Sequence, residues 1–125
     1  MLNHLCLIVK YYYSQYLLYN NEFKHSGNTF HGAWMGENLA YSAGVNITGE
    51  TPTDMWYSEV NSYNFSKPSF QPISGHFTQV VWKNSAQFGI GLARLNTVCF
   101  MTANYFPGGN DGFDEDYARN VQNLQ

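Results

Sequence analysis

Apolar positions recur with helical spacing in three segments of the chain and alternate in a strand-like way closer to its end. The first segment, Leu5–Tyr19, contains no Gly or Pro, and its apolar residues return at three- and four-residue steps. This spacing predicts one helix with a single buried face. The residues assigned to that face are Leu5, Val9, Tyr12, Tyr13, Tyr16 and Leu17. The apolar start is too short to span a membrane, and it lacks a basic leader and a small-residue cleavage site, so we expect a helix rather than a signal peptide.

A second helix is predicted from a strong start signal. Thr51 suits the N-cap and Pro52 the first helical position, and the pattern continues to about Tyr63. Helical spacing places five residues on one side of this helix. They are Met55, Trp56, Glu59, Val60 and Tyr63.

A third, shorter helix is predicted over Gly75–Trp82. Ser74 can cap it, and Gly75 lets the chain turn into it. Thr78, Val81 and Trp82 lie three and four residues apart, so they share a face that we assign to the core. His76 then lies in the first turn and is presented outward.

The strand-like part of the chain predicts an antiparallel hairpin. Phe88–Ala93 alternates bulky and small residues, and Val98–Phe106 is rich in β-branched and aromatic residues. Leu95–Thr97 can turn the chain between them. Gly89 and Gly91 would allow a helix or an aromatic ring to approach this sheet closely.

The remaining segments are predicted as loops or short ordered pieces. Ser26–Gly36 and Asn64–Ser74 are loops, the first of them carrying a solvated His31, and Gly36–Tyr41 is short and ordered. Asp111–Gln125 is acidic and then polar, and we expect a surface tail. Helices precede most of the sheet, which indicates an α+β fold with helices packed on antiparallel strands, in one domain over residues 1–125.

Composition excludes one class of partner and leaves others open. Hydrophobic residues make up 44% of the 125 residues and aromatic residues 18%, which is enough for one packed core. The net charge is −3 with 6 Lys+Arg and no basic run, so nucleic-acid binding is excluded, whereas a lipid held in an apolar cleft is not. The two cysteines, Cys6 and Cys99, are expected to be reduced and buried, or to form one disulfide if the chain ends meet.

Four residues form the candidate chemistry of the chain. His25, Glu37, Glu59 and His76 each stand at the edge of a predicted element. Two imidazoles and two carboxylates suit a divalent cation such as zinc. The same groups could instead hold one another by charge-assisted hydrogen bonds, and sequence spacing does not decide between these interpretations.

Five motifs in order resemble those of the CAP superfamily, which comprises cysteine-rich secretory proteins, antigen 5 and pathogenesis-related 1 proteins. The resemblance covers about residues 11–113 and is greatest to the Golgi-associated plant pathogenesis-related branch, whose members lack the disulfides of the secreted ones. The matching segments are Phe23–Ser26, Gly36–Leu39, Trp56–Glu59 with Tyr63–Phe65, Gly75–Trp82 and Phe100–Asn110.

The resemblance implies an α-β-α sandwich with a central cleft lined by His25, Glu37, Glu59 and His76. In the family these four residues can bind zinc or another divalent ion, and members are associated with sterols, fatty acids or anionic phospholipids. Family domains begin with a further helix before the segment matched by Tyr12–Ser14, so the resemblance also implies a domain shortened at its N-terminus. Loss of that outer helix would expose apolar surface.

Three functions compete at this point. The favoured one is a non-enzymatic CAP module that binds a lipid or a membrane surface, cytoplasmic and peripheral on the Golgi membrane by resemblance. The second is a secreted immune or venom-type interaction protein or a homodimer, extracellular if the true N-terminus carries a signal peptide. The least favoured is a serine hydrolase using Ser42, around which no Gly-x-Ser-x-Gly elbow exists.

Overall fold

The computed structural model describes the backbone of residues 4–45, 47–48 and 50–123, and the side chains of these residues from Tyr12 onward. Two single turns of 3-10 helix, Glu59–Ser62 and Pro72–Ser74, accompany the longer elements. The elements in chain order are α1 (His4–Asn20), β1 (Thr29–Phe30), β2 (Ala33–Trp34), β3 (Gly36–Ala43), α2 (Glu50–Ser58), α3 (Gly75–Val80), β4 (Gln87–Leu95), β5 (Val98–Phe106) and α4 (Asp114–Asn120).

Three strands form one antiparallel sheet in the order β3-β5-β4. The predicted hairpin of β4 and β5 is confirmed, and its tight turn places Asn96 at a φ of 53°. On the other side of β5, Glu37 lies opposite Asn104 and Asn38 lies opposite Ala103. Strand β3 is therefore an edge of this sheet, and its successive side chains point to opposite faces.

The segment predicted as a loop over residues 26–36 contains a small hairpin. Strands β1 and β2 pair with Phe30 opposite Ala33. The turn between them has positive φ at His31 (50°) and Gly32 (76°), a conformation that glycine adopts without strain. His31 is exposed at this turn, as expected for a solvated side chain.

Helix α1 covers one face of the sheet through a small buried side chain. The Ser14 hydroxyl donates to the carbonyl of Gly91 at 3.0 Å, and its oxygen lies 3.0 Å from the hydroxyl oxygen of Thr102, with which it shares a second hydrogen bond. Leu17 is fully buried beside Leu39 and Phe100. The absence of a side chain on Gly91 permits the predicted close approach.

The predicted buried face of α1 is wrong at two tyrosines. Tyr12 is 65% exposed and Tyr16 43% exposed, whereas Ser14 and Leu17 face the sheet. The helix lies close to the strands at Ser14, so the large rings turn toward its sides and solvent. The side chains of Leu5 and Val9, assigned to the same face, lie outside the described residues.

The opposite face of the sheet packs against α2 and α3. Trp56 is buried there among Met101, Ala103 and Tyr105, and its Nε1 donates to the carbonyl of Leu39 at 3.2 Å. The sheet thus lies between two helical layers, and the predicted α+β architecture is confirmed.

Helix α2 begins earlier than its start signal predicted. It begins at Glu50, so Pro52 is not at the first helical position, and its α-helical part ends at Ser58. Met55, assigned to the buried side, is 58% exposed. The change to a tighter 3-10 turn after Ser58 redirects the residues that follow, including Glu59.

Helix α3 is shorter than predicted and is not capped by Ser74. It ends at Val80, and the Ser74 hydroxyl donates backward to the carbonyl of Gln71 at 3.2 Å. Thr78 and Trp82 are buried as predicted. The groups that do bind the first turn of α3 belong to the candidate site.

The segment predicted as a surface tail contains a packed helix, α4. Tyr117 and Val121 are 1% and 4% exposed, and the Tyr117 ring meets Trp82 edge-on at 5.0 Å between centroids. The acidic residues at its start include Asp116, whose carboxylate accepts from the amide of Phe113 at 3.0 Å. Tyr117 in the helix and Val121 directly after it, four residues apart, are enough to anchor this otherwise polar segment on the core.

Cys99 is a free, buried thiol on β5, so the alternative of a Cys6–Cys99 disulfide is wrong. The side chain of Cys6 lies outside the described residues. Among the helices of the described ranges, none has the length and hydropathy needed to cross a bilayer.

Candidate functional site

The first of two histidine–glutamate pairs joins the loop before β1 to strand β3. His25 Nδ1 lies 2.9 Å from Glu37 Oε1. The same carboxylate accepts from the amide (2.8 Å) and hydroxyl (2.6 Å) of Ser26 and from Nδ2 of Asn104 at 3.1 Å. An ionised carboxylate offers about four acceptor positions. All four are in use at Glu37, whose side chain is 6% exposed.

The two titratable groups of this pair shift in opposite directions. Burial raises the pKa of Glu37, but the hydrogen bonds from His25, Ser26 and Asn104 outweigh burial and lower it below its ordinary value. The hydrogen bond to Glu37 raises the pKa of His25, against a smaller effect of burial. Glu37 is therefore ionised near neutral pH, and Nδ1 of His25 carries the proton in their hydrogen bond.

The second pair joins the turn after α2 to the start of α3. His76 Nδ1 lies 2.8 Å from Glu59 Oε1. Glu59 Oε2 accepts from the backbone amides of His76 and Phe77, both at 3.1 Å. Glu59 thus takes the capping role that the sequence assigned to Ser74, because a carboxylate suits the amides at a helix start.

The two pairs lie on opposite faces of the same edge strand. Successive residues of a strand point to opposite faces. Glu37 shares its face with Leu39, which packs on α1, whereas the His76 ring stacks 6.2 Å from the buried Trp56 of the other layer. Over residues 4–45, 47–48 and 50–123, no three side chains of His, Cys, Asp or Glu are grouped closely enough to hold a metal ion. The four predicted residues therefore form two pairs, in agreement with the hydrogen-bonded alternative.

A cavity of about 200 Å³ opens beside the first pair. Its shape depends on the segment after β5, which is tied to α3: Gly109 N donates to Gln79 Oε1 at 2.9 Å, and Asn110 Nδ2 donates to the carbonyl of Gly75 at 2.7 Å. The sequence analysis does not identify Gln79 and Asn110 as site residues, although both lie inside the motifs that resemble the family. The lining residues include His25, Ser26, Trp34, Met35, Glu37, Gln79 and Asn110.

A larger cavity of about 380 Å³, lined by none of the four residues of the two pairs, lies between α2, α3 and the segment that follows α4. Its walls are mostly apolar and aromatic, and one lysine, Lys83, stands among amide side chains at its other side. The apolar wall consists of Tyr57, Val60, Phe65, Phe77 and Val81.

Ser42, the candidate nucleophile of the hydrolase hypothesis, lies on β3. Its hydroxyl donates to the carbonyl of Val45 at 3.1 Å. A serine nucleophile is activated by a base within hydrogen-bond reach. The contact of Ser42 is instead with a backbone acceptor.

The fold is a three-layer sandwich with one histidine–glutamate pair beside each face of its edge strand β3, and the comparisons with known proteins place this fold in the class of pathogenesis-related domains. The chain belongs to CAP, the cysteine-rich secretory protein family, whose model matches residues 8–106. The resemblance inferred from the five motifs is thereby confirmed.

Two named relatives illustrate the range of the family. The chain is 43% identical over 108 residues to Golgi-associated plant pathogenesis-related protein 1 of Homo sapiens, covering 83% of this chain and 69% of that protein. It is 43% identical over 89 residues to a pathogenesis-related protein of PR-1 type from Sambucus nigra, covering 69% of this chain and 51% of that protein. The chain thus spans about half to two thirds of the length of these relatives.

Solved structures agree on the fold. Venom allergen-like protein 4 of Schistosoma mansoni superposes with a TM-score of 0.63 at 24% identity, covering 85% of this chain and 65% of that one. NaASP2, in a structure with Zn2+, superposes with a TM-score of 0.62 at 20% identity, covering 87% of this chain and 62% of that one. At these identities the likeness concerns the fold alone.

Proposed function

We propose that the chain is a non-enzymatic CAP domain that binds a divalent cation, zinc above all, through Nε2 of His25 and His76. The observation that carries the proposal is that each imidazole is bonded to a glutamate through Nδ1, at 2.9 Å and 2.8 Å. Within the described part of the chain, Nε2 of neither ring has a hydrogen-bond partner. A carboxylate that fixes one ring nitrogen while the other faces the metal is the usual surrounding of a histidine ligand.

In this proposal the glutamates orient the ligands and do not bind the ion themselves. Glu37 already accepts four hydrogen bonds, which fill its acceptor positions, and Glu59 accepts three, which leave it one. Zinc normally takes four ligands. Water or a bound molecule would complete the set, and the structure of NaASP2 with Zn2+ supports zinc as the ion to test first.

The test is a zinc titration by calorimetry on the wild type and on His25→Ala and His76→Ala. We expect the wild type to bind one equivalent and each variant to bind at least about tenfold more weakly, because each loses one of two protein ligands. His31→Ala is the matched control, since His31 is exposed on the hairpin turn and should leave binding unchanged. Wild-type affinity in both of the first two variants, with circular dichroism showing them folded, contradicts the proposal.

The cavity that contains Lys83 supports a second function. It could take up an apolar molecule with an anionic head group, such as a fatty acid. Its volume of about 380 Å³ falls in the range of small-molecule sites. The aromatic and aliphatic wall suits an acyl chain, and Lys83 could pair with a carboxylate. With a net charge of −3, the chain has no general attraction to anionic membranes, so a cavity is the better lipid site.

Displacement of a fluorescent fatty acid by palmitate tests this second function. Val60→Trp should fill the cavity and abolish binding, and Lys83→Ala should weaken palmitate but not hexadecanol. Lys67→Ala, a lysine that does not line this cavity, is the control. Equal palmitate binding by wild type and Val60→Trp would exclude the cavity as the site.

The cellular place of the chain is part of the same proposal. One relative is named as Golgi-associated and others as pathogenesis-related. We place the chain at the Golgi membrane as a peripheral protein. Fractionation of cells that express the tagged chain should then recover it with Golgi membranes and release it in carbonate, and recovery in the culture medium favours the secreted alternative.

A further inference from the structure

The loop between the two 3-10 turns carries a motif that the proposed functions do not use. Asn64, Phe65 and Ser66 form the pattern Asn-x-Ser, in which the middle residue is not proline. This pattern is the acceptor motif for N-linked glycans, which are bulky and require a surface loop. A second copy of the motif begins at Asn46, which lies outside the described residues.

The fold presents the two reactive positions of the motif to solvent. Tyr63 is buried and Phe65 half-buried, and their rings meet edge-on at 4.9 Å between centroids. Phe65 also meets the ring of Phe77 in α3 edge-on, at 6.2 Å. Asn64 and Ser66, which alternate with these aromatic residues, are exposed. The aromatic side chains therefore anchor the motif on the core while its amide and hydroxyl stay accessible.

Hydrogen bonds fix the backbone of this loop and leave the reacting atoms without partners. Asn64 Oδ1 accepts from the amide of Ser66 at 3.0 Å, and the amide of Lys67 donates to the carbonyl of Asn64 at 3.2 Å. Gln71 closes the loop, since its Oε1 accepts from the amide of Asn64 at 2.9 Å. Within the described ranges, neither Nδ2 of Asn64 nor Oγ of Ser66 has a hydrogen-bond partner in the chain.

We propose that Asn64 is the acceptor of an N-linked oligosaccharide, which an oligosaccharyl transferase transfers from a polyprenyl pyrophosphate carrier. Nδ2 of Asn64 forms a bond to the anomeric carbon of the first sugar and gives up one proton to the transferase. The bond from that carbon to the pyrophosphate oxygen breaks, and the lipid pyrophosphate leaves with the bonding electrons. This modification is independent of the proposed zinc and fatty-acid functions. It adds a side of the membrane to the proposed Golgi location, because the transfer takes place in the lumen of the secretory pathway.

Variants of the serine provide matched chains for the test. Ser66→Ala removes the hydroxyl but keeps the backbone amide that binds Asn64 Oδ1, so the loop should fold as in the wild type. Ser66→Thr keeps the motif. Asn61→Gln is the control for an exposed asparagine outside the motif, because the residue two positions after it is Tyr63. All chains carry Asn46→Gln, so that only the motif at residue 64 is measured.

The experiment expresses the tagged full chain in eukaryotic cells, once as it stands and once behind a cleavable leader that directs it into the lumen. Its electrophoretic mobility is compared before and after digestion with peptide N-glycosidase. In both forms we expect one mobility step that the enzyme removes. The step should remain in Ser66→Thr and Asn61→Gln and disappear in Ser66→Ala. Mass spectrometry after digestion should show that the amide of Asn64 has become a carboxylate.

Each outcome bears on a different part of the proposal. A lumen-directed chain that carries no glycan, or that keeps its glycan in Ser66→Ala, overturns Asn64 as the acceptor. A glycan on the lumen-directed chain but none on the chain as it stands overturns the luminal side. Neither result changes the proposed Golgi location, which is tested separately by fractionation.

Discussion

At the scale of single residues, the first pair depends on a carboxylate, Glu37, whose acceptor positions are all occupied. Glu37 accepts hydrogen bonds from His25, Ser26 and Asn104, and this set outweighs the burial that opposes ionisation. A buried carboxylate is tolerated when hydrogen bonds replace the water it has lost. Such a group holds its histidine in one orientation and one tautomer, which prepares the other ring nitrogen for a ligand role.

The His25–Glu37 pair predicts a pH dependence of stability in the metal-free chain. The pKa of His25 is raised above its ordinary 6.5, so its contribution is full below pH 6.5 and is lost as the pH rises through the folded-state value. The pKa of Glu37 is lowered from 4.5, so its contribution is present above pH 4.5 and is lost as the pH falls through its folded-state value. We expect the stability difference between wild type and His25→Gln to be largest between pH 4.5 and 6.5.

The measurement is a series of thermal melts of wild type and His25→Gln across this pH range, with a chelator present to keep both chains free of metal. The difference should stay below about 1 kcal/mol, because the imidazole side chain is 64% exposed and solvent screens the pair. A difference that grows steadily above pH 7 would have the wrong sign for this pair.

A second residue-scale prediction concerns the close packing of the segment after β5. A Cβ at Gly109 would lie 2.6 Å from Cγ of Trp82 and 2.8 Å from Nε2 of Gln79, and both of these side chains are buried. Gly109→Ala should therefore lower the free energy of unfolding in urea by about 1–3 kcal/mol. Gly75→Ala is the control: its Cβ would meet Phe70 at an ordinary 3.4 Å, so it should be neutral or stabilising.

All four residues of the two pairs could be predicted from the sequence, but which histidine binds which glutamate could not. His25 and Glu37 are joined across a loop, and Glu59 and His76 across the turn that follows α2, so the pairing depends on how layers pack. The role of Glu59 as helix cap was missed because Ser74 fits the usual pattern at that position. Only the register of the strands reveals that Asn38 and Glu37 serve opposite faces.

At the scale of elements, α1 shows how one small residue decides which side of a helix is buried. Ser14 bonds the backbone of β4 and a side chain of β5, and Leu17 fills the space beside it. A helix that lies this close to a sheet has no room for a large ring at the contact. Helical spacing does not distinguish a tyrosine from a leucine. For this reason it predicts that Tyr12 and Tyr16 lie in the core.

The burial of α1 can be tested with a matched pair of truncations. Leu17→Ala should lower the free energy of unfolding by about 2–5 kcal/mol, since Leu17 is 0% exposed. Tyr19→Ala removes a larger side chain that is 78% exposed and should change it by no more than about 0.5 kcal/mol. Chemical denaturation of both variants is the measurement, and a greater loss at Tyr19 would contradict this orientation of the helix.

Helix α4 was missed for a related reason. Its composition is polar and acidic, and only Tyr117 and Val121 reach the core. Two apolar residues in a short segment give too little periodicity to predict a helix. The strands of the hairpin are longer, so their pattern predicts strands without any knowledge of how they pack.

At the scale of the whole molecule, an ion bound by both histidines, as proposed, would connect two layers of the sandwich. His25 belongs to the segment that leads from α1 into the sheet, and His76 belongs to the layer of α2 and α3. An ion held by both would bind only the assembled sandwich, so its binding energy would add to the stability of the folded chain.

Zinc should therefore raise the melting temperature of the wild type. At a free zinc concentration of about 100 times the dissociation constant, the gain corresponds to about 2.7 kcal/mol. Differential scanning fluorimetry should show the shift, a chelator should reverse it, and it should vanish in His25→Ala and in His76→Ala. A shift of equal size in both variants would indicate zinc bound elsewhere.

The overall architecture was predictable from the sequence because its signals are redundant. Helical periodicity, strand alternation and five ordered motifs all indicate a sandwich of helices on an antiparallel sheet, and the family match over residues 8–106 agrees with them. Helix ends and buried faces were less predictable, since they depend on contacts such as that of Ser14 with Gly91.

The edge position of β3 also determines when the candidate centre can form during folding. Strands β4 and β5 are joined by a tight turn, so they can pair early, whereas β3 is separated from β5 by residues 44–97. Closing so long a loop carries an entropic cost that local hairpins avoid, and such distant contacts slow folding. Glu37 and Asn38 are carried by this late-arriving strand. In a refolding experiment followed by hydrogen exchange, the amides of the hairpin should therefore become protected first. Protection that depends on zinc should appear later, so zinc binding would report that the sandwich is fully assembled.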